Sequence, residues 1–249
     1  MELFGTTRSR LTRSHAVFAP ESFVRSDLPG WERSQGVILI SPRIGARFVQ
    51  YLALMESGGR SAPPPAGVER VLYVVEGRVS LAFPGSAERV LEAGGFAYCP
   101  PDFAAPVKAL APSRLNLFEK RHSPRPGIPP GPLFGNESEV AGTTFMGNPD
   151  AVLKVLLPVD ERFDLAVNVF TFQPGAALPL VEMHVMEHGL LMLAGQGVYR
   201  LDEQWYPVRE GDAIWMAPFC PQWFVAMGKT PARYLYYKDV NRDPLEEQE

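Results

Sequence analysis

GLLMLAGQGVYRL, Gly189 to Leu201, followed by YPVREGDAIWMAPFCPQWFV, Tyr206 to Val225, decides the fold. It reads as an apolar strand, a Gly-marked turn, a second strand, another Gly turn, an aromatic-rich strand and a Pro-bearing loop. The same order occurs earlier, in VLYVVEGRVSLAF (Val71 to Phe83) and VLEAGGFAYCPPDFAAPV (Val90 to Val107). Aligning Gly77 with Gly195 and Gly94 with Gly211 also brings Pro101 onto Pro218. The first pair of glycines is 17 residues apart and the second 16, so the chain carries an internal repeat. Short apolar runs at this interval, with no long helical periodicity, predict an all-β protein of two small barrels in tandem. Further strand candidates precede each core: Gly36 to Pro42 and Arg47 to Met55 in the first half, AVLKVLLP and Phe163 to Phe172 in the second. They could extend the sheets and hide their edges.

Between the halves lies HSPRPGIPPGPLFGN, His122 to Asn136. Five prolines and two glycines within Pro124–Pro132 exclude a helix or a central strand, and the segment reads as an extended linker. The expected division is residues 1–122, a linker at 123–136, and residues 137–249.

Composition supports this picture. Pro 25 and Gly 22 in 249 residues are too much punctuation for a helical bundle. A hydrophobic content of 46% is ordinary for a globular chain. With 24 Lys+Arg against 28 Asp+Glu the chain lacks the basic excess of a nucleic-acid or anionic-membrane binder. No apolar run reaches the roughly 18 residues of a membrane span, and the opening MELFGTTRSRLTRSH has no signal-like apolar core. Two cysteines, Cys99 and Cys220, make no disulfide framework and fit a reducing compartment. The expectation is a cytoplasmic protein without nucleic-acid or membrane partners. Arg8, Arg10 and Arg13 read as solvated charge.

Of four histidines, two lie in VEMHVMEHG, Val181 to Gly189. In an extended chain Glu182, His184 and His188 share parity and could all point inward, with Glu182 and His184 about 6.5 Å apart at Cα. Glu187, of opposite parity, is expected to be exposed. Two imidazoles and a carboxylate inside a barrel are costly unless they hold something, and a metal is the first expectation. HVMEH also has the His-x-x-Glu-His form of inverted zinc peptidases, which requires a helix. Pro179 upstream and Gly189 downstream leave about nine residues, too few for a catalytic helix. Trp205, Trp215 and Trp223 read as core.

On these residues the second half resembles a cupin. Gly175 opens the first motif and Gly195 closes it, with the usual His-x-His-x3-Glu changed to Glu182-x-His184-x3-His188. The second motif runs from Gly211 through Pro218, with Gln222 where its histidine usually stands. The Glu, His, His, Gln quartet resembles that of the (S)-ureidoglycine aminohydrolases, bicupins of purine and allantoin breakdown. The likeness extends to GQGVYRLD, YKDVNRD and, in the first half, YCPP at Tyr98 to Pro101. It implies two cupin barrels (double-stranded β-helix, or jelly-roll) and Glu182, His184, His188 and Gln222 as metal ligands. It also implies a catalytic site with Lys238, Tyr199 and Tyr234 at the substrate. A mixed N/O set suits Mn2+, with Fe2+, Ni2+ or Zn2+ as alternatives, and the family implies manganese. The implied reaction replaces the amino group of a small ureido substrate by hydroxyl and releases ammonia. Tandem cupins commonly assemble through sheet edges, which implies a homo-oligomer. Two other classes stay open: a metal-dependent bicupin of different chemistry (decarboxylase, dioxygenase or isomerase on a small acid) and a non-enzymatic cupin that binds a small ligand.

The first half is the control. Under the repeat alignment His188 falls on Arg70, His184 on Ala66 and Gln222 on Ala105 or its neighbour. No comparable ligand set is expected there.

Overall fold

A computed structural model describes residues 7–101, 103, 105–125, 130–243 and 245. Among them the regular structure is β-strand with three short 3-10 turns, as the strand-and-turn pattern requires.

The repeat is visible in the pairing. In the first half the Val68–Glu76 strand lies between Gly95–Cys99 and Ser113–Arg121, antiparallel to both. In the second, His188–Ala194 lies between Ala213–Met216 and Ala232–Asp239, again antiparallel to both. The aligned glycines do the same work. Gly77 has φ +88° and Gly195 φ +72°. A Cβ on Gly77 would sit 2.4 Å from the Pro112 carbonyl oxygen, and one on Gly195 2.4 Å from that of Pro231. Both turns therefore demand a residue without a side chain, for conformation and for space.

The chain divides into two compact units that interleave along the sequence. One comprises residues 1–24, 142–153 and 169–238, and the other 25–141, 154–168 and 239–249. Both units draw on segments from either side of the Pro/Gly segment. The reason is pairing. His15–Phe18, from the start of the chain, adds to Ala213–Met216 of the second half, from Ala213↔Phe18 to Met216↔His15. This covers a strand edge that local sequence cannot show to be open. Arg8 belongs to the same anchor. It makes two hydrogen bonds, of 2.6 and 2.7 Å, to the fully buried carboxylate of Asp212, so the reading of Arg8 as solvated charge is corrected. The end of the Pro/Gly segment, Leu133–Asn136, is a strand that pairs only with Gly95–Cys99 at one end of its sheet. An edge is where a proline-rich approach can be accommodated.

Each unit has its own core. The first-half barrel packs Leu72, Val74, Leu81, Leu115 and Leu117 around Tyr51 and Phe83. The unit that holds most of the second half packs Phe170, Phe172, Leu190, Met192, Tyr199, Phe224, Tyr234 and Tyr236. The latter is an aromatic stack: Phe172 meets Phe224 edge-on with centroids 5.1 Å apart and stacks on Tyr234 at 5.7 Å. Burying each such ring stabilises the barrel by about 1.5–3 kcal/mol. Trp215 is buried as expected and Trp223 packs in part against the aromatic core, whereas Trp205 is exposed, which corrects its reading as core.

Candidate metal and substrate site

The segment carrying Glu182, His184 and His188 is not helical, which removes the inverted-peptidase arrangement. Nor is it one continuous strand. Glu182 forms an isolated bridge with Gln222, each N–H donating to the other's carbonyl at 2.9 Å. Residues 183–187 are irregular, and His188 is the first residue of its strand. The bend brings His184 back towards both Gln222 and His188.

The side chains converge. The Nε2 atoms of His184 and His188 are 3.1 Å apart, and the Gln222 amide nitrogen is 3.1 Å from His184 Nε2. His184 Nδ1 is 3.2 Å from the Met186 carbonyl oxygen, and the His188 ring bonds to the backbone of Tyr237. With the His184 Nδ1 proton on that carbonyl, its Nε2 offers a lone pair towards the His188 Nε2 and the Gln222 amide. Burial, reinforced by His184 and Lys238, pushes the His188 pKa well below its ordinary value, so its ring is neutral. Two imidazole nitrogens 3.1 Å apart can both reach one cation seated to the side of the line that joins them. Rotating the Gln222 amide by half a turn would offer its oxygen to the same point. This arrangement suits a divalent metal with N/O donors.

Glu182 is less tightly gathered. Among the described residues, the trios of His, Cys, Asp and Glu ligand atoms within 4.8 Å of one another are His15/Asp202/Cys220 and Glu69/His122/Asp164. Glu182 with the two imidazoles is not such a trio. Its carboxyl pKa is raised by burial and opposed by the ammonium of Lys238, which places that cation's field on the site.

Lys238 lies directly across from His188 in the strand register, with Tyr236 facing Leu190 and Tyr234 facing Met192. Tyr234, Tyr236 and Lys238 therefore share one face, as alternation predicts. Tyr236 stands with its ring 5.6 Å from that of His188. Tyr199 is buried, with its hydroxyl hydrogen-bonded to that of Tyr234. Burial raises both phenol pKa values, so both remain protonated donors. Glu187 corrects the parity argument: it is fully buried and accepts a 3.2 Å bond from Trp215 Nε1. Parity fails there because the backbone ahead of His188 is not extended.

A second charged cluster escaped sequence reasoning. Glu69 and Asp164 are fully buried and flank His122, whose Nδ1 is 3.2 and 3.3 Å from their oxygens. Tyr98 donates to Glu69 at 2.8 Å, and Lys120 binds Asp164. Burial, with Asp164 nearby, pushes Glu69 up to about 7. Burial alone would raise Asp164 too, but bonds from Glu69, Lys120 and the Ser123 N–H hold it at about 2. Asp164 is distant in sequence from the other members, so no local motif announces the group. Cys99 and Cys220 are free and buried, with their thiols pushed up to about 12 by burial.

The fold and site define a bicupin. Residues 168–237 match the cupin domain model, and residues 45–120 match the EutQ-like cupin domain. The chain is 44% identical to a probable (S)-ureidoglycine aminohydrolase of Oryza sativa subsp. japonica, over 98% of this chain and 79% of that protein. It is 43% identical to the (S)-ureidoglycine aminohydrolase of Arabidopsis thaliana, over 98% and 82%. Among solved structures it resembles protein Ylba from E. coli, with 33% identity, a TM-score of 0.85, and 95% and 96% of the two chains covered. The chain belongs to the (S)-ureidoglycine aminohydrolase family.

Proposed function

We propose that the second-half barrel binds Mn2+ through Glu182, His184, His188 and Gln222. The chain would hydrolyse (S)-ureidoglycine to (S)-ureidoglycolate and ammonia within purine and allantoin breakdown. The observation that carries this reading is the pair of Nε2 atoms 3.1 Å apart beside a glutamine amide. Glu182, held opposite Gln222 by its backbone, completes the ligand set by rotating its side chain. Bound metal would polarise substrate groups as a Lewis acid. The protein groups supply the rest. The ammonium of Lys238 binds the substrate carboxylate. Tyr199 and Tyr234, a hydrogen-bonded pair of protonated phenols, present a free O–H to the ureido group and fix which face of Cα is attacked. A C–O bond forms from water, the C–N bond to the amine breaks, and the leaving amine departs as ammonia with a proton from the water. The same reading has the protein cytoplasmic and homo-oligomeric, without nucleic-acid or membrane partners. Its two cupin domains flank the 123–136 segment, and the first has no ligand set comparable to that of the second.

The test is ammonia release from freshly generated ureidoglycine by Mn2+-loaded wild type, His184→Ala and Lys238→Met. Loss of metal and activity is expected for His184→Ala, and retained metal with kcat/KM lower by about 100-fold for Lys238→Met. Near wild-type rates in both variants would sink the assignment.

A further inference from the structure

Phe219 stands beside this site in a conformation that a phenylalanine rarely adopts. Ala217, Pro218, Phe219 and Cys220 form a turn closed by Cys220 N–H donating to the Ala217 carbonyl at 3.1 Å. With Pro at its second position and φ +62° at its third, the turn has the pattern of type II, whose third position favours glycine. Among the described non-glycine residues with positive φ, Phe219 is the one aromatic; the others are Arg33, Met146, Asp202 and Asn241. A bulky residue there is strained.

Burial does not offset that strain, because the residue is 58% exposed. The backbone bond does not explain the side chain either. Phe219 N–H donates to the His184 carbonyl at 2.7 Å, which ties the turn to the loop of the candidate ligand, but a glycine would make this bond at lower conformational cost. The ring remains unaccounted for. It lies three residues before Gln222, and the segment leading to His184 also exposes apolar side chains, Leu180, Val181 and Met183. Strain retained without compensation at a site is a signature of function.

We propose that the Phe219 ring is an aromatic cover for the substrate-bound site. It closes over the small ureido acid held between Lys238 and the His184–His188–Gln222 cluster, and it keeps bulk water from competing for the hydrogen bonds of Tyr199 and Tyr234. One water admitted with the substrate suffices for the reaction. The proposal rests on the hydrolase reading above and adds to it a residue that acts on substrate binding rather than on the metal.

The test compares Phe219→Gly, Phe219→Ala and Phe219→Tyr in the Mn2+-loaded full chain. Thermal unfolding, metal per chain, kcat and KM for ureidoglycine, and calorimetric affinity for ureidoglycolate are read for each. Phe219→Gly should unfold at a temperature equal to or about 2 °C above wild type. It should keep its metal and lose about tenfold in kcat/KM, chiefly through KM. Phe219→Ala should show the same kinetic loss without the gain in Tm, and Phe219→Tyr should restore the kinetics. A Gly variant with wild-type KM and product affinity overturns the cover while leaving the hydrolase reading intact. So does a Gly variant whose activity falls in proportion to lost metal, since the residue would then act through His184. A wild type that neither turns over ureidoglycine nor binds ureidoglycolate overturns the hydrolase reading, and the cover with it.

Discussion

The two barrels use one strand frame for opposite ends. Arg70 and His188 occupy matching positions: Arg70 lies across from Cys99 and Glu119, and His188 across from Met216 and Lys238. In the second barrel the pair is a neutral imidazole facing an ammonium, with His184 and Gln222 converging from the side. In the first, it is a guanidinium bound to a carboxylate at 2.6 Å. The Arg70 side chain also donates to the Ala62 carbonyl at 2.8 Å and lies under the Trp31 ring, while Tyr51 donates to Glu119. At the first position the guanidinium is bonded to a carboxylate and a backbone carbonyl of the protein itself. At the second, ring nitrogens point at one another with nothing of the protein between them. The barrel supplies a location, and the residues at one register position decide whether it is filled by an ion pair or lined by imidazole.

Three substitutions sharpen that contrast, from the largest effect to the smallest. His188→Ala should abolish metal binding and lower ammonia release by about 1000-fold or more. Its Tm in metal-free buffer should stay near that of metal-free wild type, because a neutral ring is lost without stranding a charge. Arg70→Ala at the matching position should do the reverse. It leaves the Glu119 carboxylate poorly compensated and should cost about 3 kcal/mol in denaturant unfolding, with metal content unchanged. An Arg70→Ala protein that folds normally but loses its metal would break the comparison.

The third concerns Glu69 and pH. Its folded pKa of about 7 lies above the ordinary carboxylate value, so the folded protein holds a proton that the unfolded chain releases. The stability this contributes is complete below about pH 4.5 and is lost as the pH rises through about 7. His122, raised chiefly by its bond to Glu69, acts in the same direction. Asp164 acts oppositely: its contribution is lost as the pH falls towards about 2. Wild-type Tm should therefore decline by a few degrees, about 2–4 °C, between pH 5.5 and 8. Glu69→Gln, which keeps a neutral side chain of the same shape, should flatten the decline. An equally steep slope in the variant would remove Glu69 as its cause.

Much of the fold was legible because it rests on local pattern. Gly77 and Gly195 could be aligned because each turn tolerates no side chain, and alternation placed Tyr234, Tyr236 and Lys238 on one face because Ala232–Asp239 is a regular strand. What escaped depends on partners remote in sequence. Nothing near Arg8 reveals that it binds the buried carboxylate of Asp212, and nothing near Glu69 reveals Asp164. The candidate site falls between these cases. Parity put Glu182, His184 and His188 together, but a straight strand would have left Glu187 exposed and could not have turned His184 towards Gln222. The resemblance implied Gln222 as a ligand; the backbone bridge places it opposite Glu182.

The central claim is that the His184–His188–Gln222 cluster holds a divalent metal, while the plugged first-half position does not. Metal per chain, measured on purified wild type, the His184→Ala/His188→Ala double variant and His122→Ala after Mn2+ loading and desalting, tests it most directly. The account predicts one ion in wild type, one in His122→Ala and none in the double variant. An ion retained by the double variant but lost from His122→Ala would move the metal to the Glu69–His122–Asp164 cluster and contradict the account.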